Sequence, residues 1–178
     1  MRLDLKPVTA LGGGERDALK ALTAAVYPPE VLVRSPGRPL QWATAQWSVL
    51  VWTAEGQLIS HVGIVVREGT LDSVPVKIGG IGGVKTHPQA QGRGYASAAL
   101  RRAAAALQGE HHVAFSLLAC QAHLLPFYGR LGWLPFPGRL IVGQPGGPIV
   151  LTINRPMVLP GLCPAPQEGV IDLRGLPW

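Results

Sequence analysis

A short glycine-containing stretch, residues 91–96, offers free backbone directly before a run of helix-forming residues. It reads QGRGYA, and the helix formers ASAALRRAAAALQG begin at its last residue. Backbone amides at a helix N-terminus bind phosphate when no side chain blocks them, and the helix dipole adds to the attraction. The stretch therefore predicts a cradle for a pyrophosphate, with Arg93 adding positive charge. The predicted cradle residues are Gln91, Gly92, Arg93, Gly94, Tyr95 and Ala96.

Two familiar phosphate-binding patterns fit this stretch poorly. The P-loop pattern G-x-x-x-x-G-K-[ST] does not occur in the chain. The dinucleotide pattern G-x-G-x-x-G begins at Gly92 and Gly94, but Ser97 stands at its third glycine position. A dinucleotide-binding protein stays open as an alternative, which a measurement of NAD binding would decide.

The charge of the chain favours an anionic ligand but not nucleic acid. The net charge is +6, yet the basic residues are scattered and only Arg101 and Arg102 are adjacent. We therefore expect no nucleic-acid partner. Cys120 and Cys163 have neither metal-ligand nor disulfide spacing, which predicts reduced structural thiols and no metal site.

Length and composition indicate a single domain over residues 1–178. The chain is 47% hydrophobic and 15% charged, which suits one α/β or α+β domain with a substantial core. The N-terminal residues lack a signal-peptide pattern, and no stretch approaches the ~18 uncharged apolar residues of a membrane helix. We expect a cytoplasmic protein with no membrane partner.

The hydrophobic pattern predicts the elements that must position the cradle. Residues 14–28 predict a first helix that ends at two prolines, and residues 96–109 predict a second. Residues 47–69 predict a hairpin, and 74–86 a third strand whose glycines indicate a bulge or the close approach of a ligand. The other expected elements are a loop with a short helix at 30–46, a strand at 112–120, a short helix at 122–132, a strand at 149–156 and a last strand near the C-terminus.

The element order, the hexapeptide and a second segment together resemble one enzyme superfamily. The hexapeptide fits [QR]-x-x-G-x-[GA], the acyl-CoA motif of the GNAT superfamily of N-acetyltransferases. Residues 127–133, FYGRLGW, are similar to the F-Y-x-x-x-G-[FW] signature of that superfamily, and the resemblance covers most of the chain from about residue 47 onward. It implies an α+β, α/β/α-layered fold, in which helices flank a mixed, mostly antiparallel sheet with a splayed central strand pair.

The resemblance also implies how the site would work. Acetyl-CoA would be the cofactor, coenzyme A the product, and no metal would be needed. The pantetheine arm would pair with the backbone of Val84, Lys85 and Thr86, and an amide at the splay would polarise the thioester carbonyl. Tyr128 matches the tyrosine that protonates the departing thiolate, a suitable role because a phenol is neutral at physiological pH. Gln121 stands where many members have an asparagine that contacts the cofactor.

The acceptor is expected to be a primary amine of a small molecule. Residues 132–138, GWLPFPG, and the ending DLRGLPW resemble the aminoglycoside 2'-N-acetyltransferases. Those enzymes have a catalytic glutamate where this chain has Gly82, and they hold the drug with acidic residues near the C-terminus, where this chain offers only Glu168 and Asp172. The amine is therefore expected to be aminoglycoside-like, or smaller or less charged.

A base must take the proton of the ammonium acceptor before the amine attacks directly in a ternary complex. The resemblance offers the α-carboxylate of Trp178, and His61 in the predicted hairpin is a second candidate; His87 and His123 are weaker ones. Two further alternatives stay open, an acyl-CoA-binding module without turnover and an acetyltransferase that acts on a protein or peptide amine. A homodimer is also left open as the assembly.

Overall fold

The computed structural model describes residues 1–33 and 35–178. The strands are β1 (Arg2–Pro7), β2 (Trp47–Trp52), β3 (Leu58–Leu71), β4 (Val74–Thr86), β5 (Phe115–Cys120), β6 (Leu134–Pro135), β7 (Arg139–Val142), β8 (Ile149–Val150), β9 (Arg155–Pro160) and β10 (Val170–Asp172). The helices are α1 (Gly13–Val26), α2 (Pro29–Val33), α3 (Tyr95–Gly109) and α4 (Leu125–Gly129), and short 3-10 turns cover Val8–Ala10, Pro88–Ala90 and Ala122–Leu124.

These strands join one sheet in the order β6-β9-β5-β4-β3-β10-β7-β8, and β2, with β1 beyond it, also pairs with the long strand β3. The β4–β5 and β10–β7 pairs are parallel, whereas the other pairs are antiparallel. The mixed, mostly antiparallel sheet expected from the resemblance is confirmed.

Strand β2 shows how both faces of the sheet are covered. Val49 and Val51 belong to the same buried cluster as the inner face of α3. Leu50 and Trp52, which alternate with these two valines along the strand, lie in a cluster with residues of α1. Because successive side chains of a strand point to opposite faces, the two helices lie on opposite sides of the sheet. The layered α+β architecture is therefore also confirmed.

Helix α3 lies close to the sheet because its inner face is small. Its buried residues are Ala99, Leu100, Ala103, Ala106 and Leu107. Gly79 of β4 leaves space for the side chain of Leu107, since a Cβ at position 79 would be 2.6 Å from Leu107 Cδ2. This packing holds the first turn of α3 at a fixed place beside the end of β4.

The central strands β4 and β5 separate along their length. They pair only at Ile78 with Phe115, Gly79 with Ser116 and Gly80 with Leu117. Beyond this point β4 runs on to Thr86 and β5 to Cys120 without pairing to each other. The splayed strand pair is thus confirmed, and the gap opens toward the glycine stretch.

The glycines of β4 form the bulge that the sequence indicated, but the group that approaches them is not a ligand. His61 of β3 pairs with Lys85, but Gly63 pairs with Gly82, so that two residues of β4 oppose one of β3. One of the two is Gly83, whose φ of +57° favours glycine. The close approach is made by the chain's own Trp178, whose indole occupies the space of a side chain at Gly80.

Several sequence-based element predictions were wrong at the edges of the sheet. Strands β1, β6 and β7 were not predicted, and the strand expected at 149–156 consists of the separate strands β8 and β9. β1 and β6 are edge strands, which are often half-exposed and tolerant of proline, so their hydrophobic pattern is weak. β7 lies between β10 and β8, and its four residues are too few to show a clear alternation. The strand expected at 112–120 begins only at Phe115. The two long helices, the hairpin, the third strand and the last strand are confirmed.

Candidate active site

A cleft of about 630 Å³ opens beside the N-terminus of α3. Its walls are the end of β4, the glycine stretch, the first two turns of α3 and α4. Of the predicted cofactor residues, those that line it are Val84, Thr86, Gln91, Gly92, Gly94, Tyr95 and Ala96. Arg93 is exposed and Gln121 is exposed, and neither is among the lining residues.

The glycine stretch turns sharply to present its backbone to this cleft. Gly92 has a φ of +74°, and Gly94, the residue that precedes α3, has a φ of +82°. No atom lies within 4 Å of where a Cβ would be at either position, so both glycines are needed for conformation and not for packing. Gln91 ties the stretch to β4, because its Nε2 donates a hydrogen bond to Thr86 O at 3.3 Å.

Two arginines that the sequence reasoning missed also line the cleft. Arg101 comes from α3 and Arg130 follows α4, and both are exposed. Guanidinium groups bind phosphates through paired hydrogen bonds, so both side chains have the chemistry that was expected of Arg93. The sequence could have pointed to both arginines, because Arg130 lies inside the FYGRLGW segment and Arg101 follows the glycine stretch by less than two helical turns.

Tyr128 is brought into the same cleft by α4. Its ring packs edge-on against Phe127 and Trp133, at centroid distances of 5.0 and 6.5 Å, and the residue is 5% exposed. Its hydroxyl makes no hydrogen bond with residues 1–33 or 35–178, and the residue lines the cleft, so a ligand bound there can reach it. Burial raises the pKa of the phenol above its usual range, so the group holds its proton.

A second cavity of about 260 Å³ lies on the other side of β4, and we call it the inner cavity. Gly82, Gly83, Lys85, His61 and Trp178 line it, together with Ser48 of β2 and residues 43–45. Because side chains alternate along a strand, Val84 and Thr86 face the cleft while Lys85 faces the inner cavity. Residues 84–86 thus share a backbone edge, but the Lys85 side chain does not belong to the cofactor cleft.

Trp178 stands where β4 and β5 separate. Its indole Nε1 donates a hydrogen bond to Leu117 O at 3.1 Å, and its carboxyl carbon lies 2.5 Å from where a Cβ at Gly82 would be. The Arg67 guanidinium lies 5.3 Å from the indole centroid and donates a hydrogen bond to Leu176 O at 2.8 Å. The carboxyl group of Trp178 is thereby held at the site of the missing side chain at position 82.

His61 is buried and fully engaged by hydrogen bonds. Its Nδ1 lies 2.9 Å from the Gly83 carbonyl, which can only accept, so Nδ1 carries the proton. Its Nε2, 3.1 Å from Ser48 Oγ, then accepts from that hydroxyl. Burial lowers the pKa of His61 to about 4, and the charge of Lys85 adds to this shift. His61 is therefore a neutral ring that fixes the bulge of β4.

This burial predicts a loss of stability in mild acid. Between about pH 6.5 and about pH 4 the unfolded chain binds a proton at His61 that the folded chain does not, so the free energy of unfolding falls as the pH is lowered. From about pH 7 to about pH 5 we expect His61 to account for a loss of about 2 kcal/mol. Urea unfolding of the wild type and of His61→Gln at both pH values measures it. Identical pH dependence of the two proteins would contradict the assignment.

The remaining reactive groups do not form a further site. Burial raises the pKa of Cys120 to about 11, so this cysteine is a thiol that packs near Met157. Cys163 is exposed, and the expectation of buried structural thiols therefore holds for Cys120 alone. Within the described ranges, no cluster of three or more His, Cys, Asp or Glu side chains is placed to hold a metal. None of the described helices has the length and apolar character to cross a membrane.

Comparisons with known proteins agree with this geometry. A family model described as an acetyltransferase (GNAT) domain matches residues 11–136. An acyl-CoA N-acyltransferase from Pseudomonas aeruginosa is 22% identical, with 89% of this chain and 98% of that chain covered and a TM-score of 0.62. A search of the curated proteins found no match.

Two structures of the same fold were solved with the expected ligand. A GNAT family N-acetyltransferase from Escherichia coli in complex with CoA is 13% identical, with 97% of this chain and 90% of that chain covered and a TM-score of 0.60. A GNAT family acetyltransferase from Brucella melitensis in complex with acetyl-CoA is 15% identical, with coverage of 96% and 94% and a TM-score of 0.58. At these identities the likeness establishes the fold. The family model spans well over half of the chain, including both motifs, and the chain therefore belongs to the GNAT acetyltransferase family.

Proposed function

We propose that the protein transfers the acetyl group of acetyl-CoA to a primary amine of a small molecule by direct attack in a ternary complex. One observation carries the proposal. At its splay, β4 separates the cleft that the glycine stretch lines from the inner cavity, which contains the Trp178 carboxylate and His61. A thioester held along this strand would meet an amine from the inner cavity.

The cofactor fits the residues of the cleft. The amides of residues 91–96 at the start of α3, with Arg101 and Arg130, would hold its phosphates, and the free backbone edge of residues 84–86 would pair with its pantetheine arm. When bound, acetyl-CoA supplies an activated acetyl group on a thiol leaving group. The glycines at 92 and 94 are what let the backbone turn its amides toward the phosphates.

Tyr128 would hold the proton that the departing sulfur needs. Its phenol stays protonated because of its burial, and its hydroxyl is free of partners in the described chain. The same apolar surroundings disfavour a thiolate, so they increase the tendency of the sulfur to take the proton. A positioned acid of this kind typically contributes a rate factor of about 100 to 10,000.

The carboxylate of Trp178 is our proposed acceptor for the proton of the ammonium. It lines the inner cavity and occupies the space that a side chain at position 82 would take, which is free because residue 82 is a glycine. A carboxylate carries a negative charge at neutral pH and attracts an ammonium through a charge-assisted hydrogen bond. His61 is less suited to this role, because its Nε2 lone pair is occupied by Ser48 and its pKa is about 4. We assign His61 to positioning the bulge.

Neutralising this carboxylate should slow acetyl transfer by about 10-fold or more, because the amine must then lose its proton to solvent. Ligation of one synthetic C-terminal peptide, made once as the free acid and once as the amide, gives a matched pair that differs only in this charge. Steady-state rates and acetyl-CoA affinity are measured on both. Equal rates would show that the Trp178 carboxylate takes no part in the reaction.

Particular observations weigh against the alternatives. The family assignment replaces the dinucleotide-binding hypothesis. A free tyrosine hydroxyl in the cleft disfavours a module that only binds acyl-CoA. An aminoglycoside is a polycation, and among the described residues that line the inner cavity there is no acidic side chain to receive it.

Binding of the cofactor is tested most simply through stability. A ligand that binds only the folded protein, present at about 100 times its dissociation constant, raises the free energy of unfolding by about 2.7 kcal/mol. We expect a shift of this size in urea unfolding with acetyl-CoA, and none with NAD at the same concentration. The absence of any shift with acetyl-CoA would refute the proposed cofactor.

A further inference from the structure

An apolar groove of about 900 Å³ lies next to the inner cavity, along α1 and α2. The two spaces share the lining residues Val8, Leu19 and Lys85. The wall of the groove includes the apolar side chains of Leu11, Tyr27, Pro28, Pro29 and Leu32. A molecule that reaches the inner cavity from this side therefore passes apolar surface and then Lys85.

The charged side chains along this path have one sign. Arg16, Lys20 and Lys85 line the groove, and no described residue that lines the groove or the inner cavity has an acidic side chain. The Trp178 carboxylate in the inner cavity is the group that we assign to the ammonium. Lys20 is exposed and paired with Asp17 at 3.3 Å, so its charge is partly neutralised. Glu15 is held by Lys6 and by the Gly12 amide, and Glu30, next to Pro29, is exposed and does not line the groove.

Lys85 is the unmatched charge at the junction of the two spaces. Its ammonium has no hydrogen bond and no ion pair within the described ranges, although the residue is half-buried. Burial lowers the pKa of Lys85, which reflects the cost of a cation without a partner. An anion bound at this point would remove that cost, and a carboxylate is the anion that an ammonium pairs with most readily in proteins.

We propose that the acceptor is an α-amino acid with an apolar side chain, an inference that rests on the proposed acetyl transfer. Its amine would enter the inner cavity, its carboxylate would pair with Lys85, and its side chain would lie in the apolar groove. Lys85 lines both spaces, so a carboxylate bound to it would lie where the groove meets the cavity that the amine enters. The α-amino acid arrangement, with one carbon between the two groups, meets this requirement.

Three acceptors that differ only at the carboxyl position test the proposal: leucine, leucinamide, in which a neutral amide replaces the carboxylate, and isopentylamine, which has no group at this position. Each is assayed for coenzyme A release with the wild type, with Lys85→Gln and with the conservative variant Lys85→Arg. A hydrogen bond to a charged group corresponds to about 10- to 100-fold in kcat/KM. We expect the wild type to prefer leucine over both analogues by this factor.

The variants separate the role of Lys85 from a structural one. Lys85→Gln should bring the ratio of leucine to isopentylamine close to one, mainly through the KM of leucine, and Lys85→Arg should retain most of the preference. Equal kcat/KM for the three acceptors in the wild type, or an unchanged preference in Lys85→Gln, overturns the acceptor assignment and leaves the proposed function intact. If no amine at all is acetylated while acetyl-CoA binds, the proposed function fails, and the acceptor assignment fails with it.

Discussion

Replacing Tyr128 with phenylalanine is expected to lower acetyl transfer by about 100-fold or more and to leave the affinity for acetyl-CoA nearly unchanged. The variant removes one hydroxyl and keeps the ring that packs against Phe127 and Trp133. Without the phenol proton, the sulfur must leave as a thiolate in apolar surroundings or take its proton from water. Steady-state kinetics with the best amine, together with calorimetric titration of acetyl-CoA, measure the two quantities.

Stability provides the control for this variant. The Tyr128 hydroxyl has no hydrogen-bond partner in the described chain, so its removal breaks no bond in the folded protein. We therefore expect the free energy of unfolding to change by less than about 1 kcal/mol, in contrast to the large loss of rate. A phenylalanine variant with full activity would reduce Tyr128 to a packing residue.

Placing a negative charge in the cradle is expected to abolish measurable binding of acetyl-CoA. Gly94 has a φ of +82°, a conformation that asparagine and aspartate tolerate better than other residues with side chains. Gly94→Asn and Gly94→Asp therefore carry similar backbone strain and nearly the same volume, and differ in one charge. Like charges in close contact cost several kcal/mol, so Gly94→Asp should bind acetyl-CoA at least about 100-fold more weakly than Gly94→Asn.

The comparison between these two variants removes the effect of strain. Binding is measured by titration and by the stabilisation of each variant against urea. If Gly94→Asp binds acetyl-CoA as tightly as Gly94→Asn does, the phosphates do not lie at the start of α3. The account of the cleft would then have to place them elsewhere.

Local motifs predicted the cleft well, because each motif specifies its own geometry. The glycines of QGRGYA predicted free backbone directly before a helix, and the structure places Gly92 and Gly94 there, both with positive φ. FYGRLGW indicates a short helix after the strand, and that helix brings Tyr128 to the same cleft as the glycine stretch. Long helices and the central strands were predictable for a similar reason, since their hydrophobic periods extend over many residues.

Contacts between distant segments were less accessible to sequence reasoning. The glycines of β4 suggested the close approach of a ligand, whereas the indole of Trp178 fills that space. Glycines in a strand indicate that some group packs close to the backbone, but they do not identify that group. Strand alternation could have shown that the Lys85 side chain points to the other face of the sheet from those of Val84 and Thr86. The apolar groove beside Lys85 was not predictable, because it depends on how α1 and α2 pack.

The hydrogen bonds of His61 were also hidden from the sequence. Its partners, Ser48 and the Gly83 carbonyl, are 13 and 22 residues away along the chain. Both contacts depend on the register of β2 with β3 and on the bulge of β4. A histidine in a strand therefore looked like a candidate base, whereas these contacts are the reason why we propose a positioning role for it.

The central claim, acetyl transfer to a small primary amine, is tested most directly by mixing the purified protein with acetyl-CoA and a panel of amines. The panel contains apolar α-amino acids, their amides, simple alkylamines, an aminoglycoside and a peptide, and each reaction is followed by thiol release and by mass spectrometry of the acceptor. The account predicts amine-dependent thiol release at a rate that falls by about 100-fold in Tyr128→Phe, with an N-acetylated small amine as the product. Binding of acetyl-CoA without amine-dependent thiol release across the panel, or acetylation of the peptide alone, would contradict it.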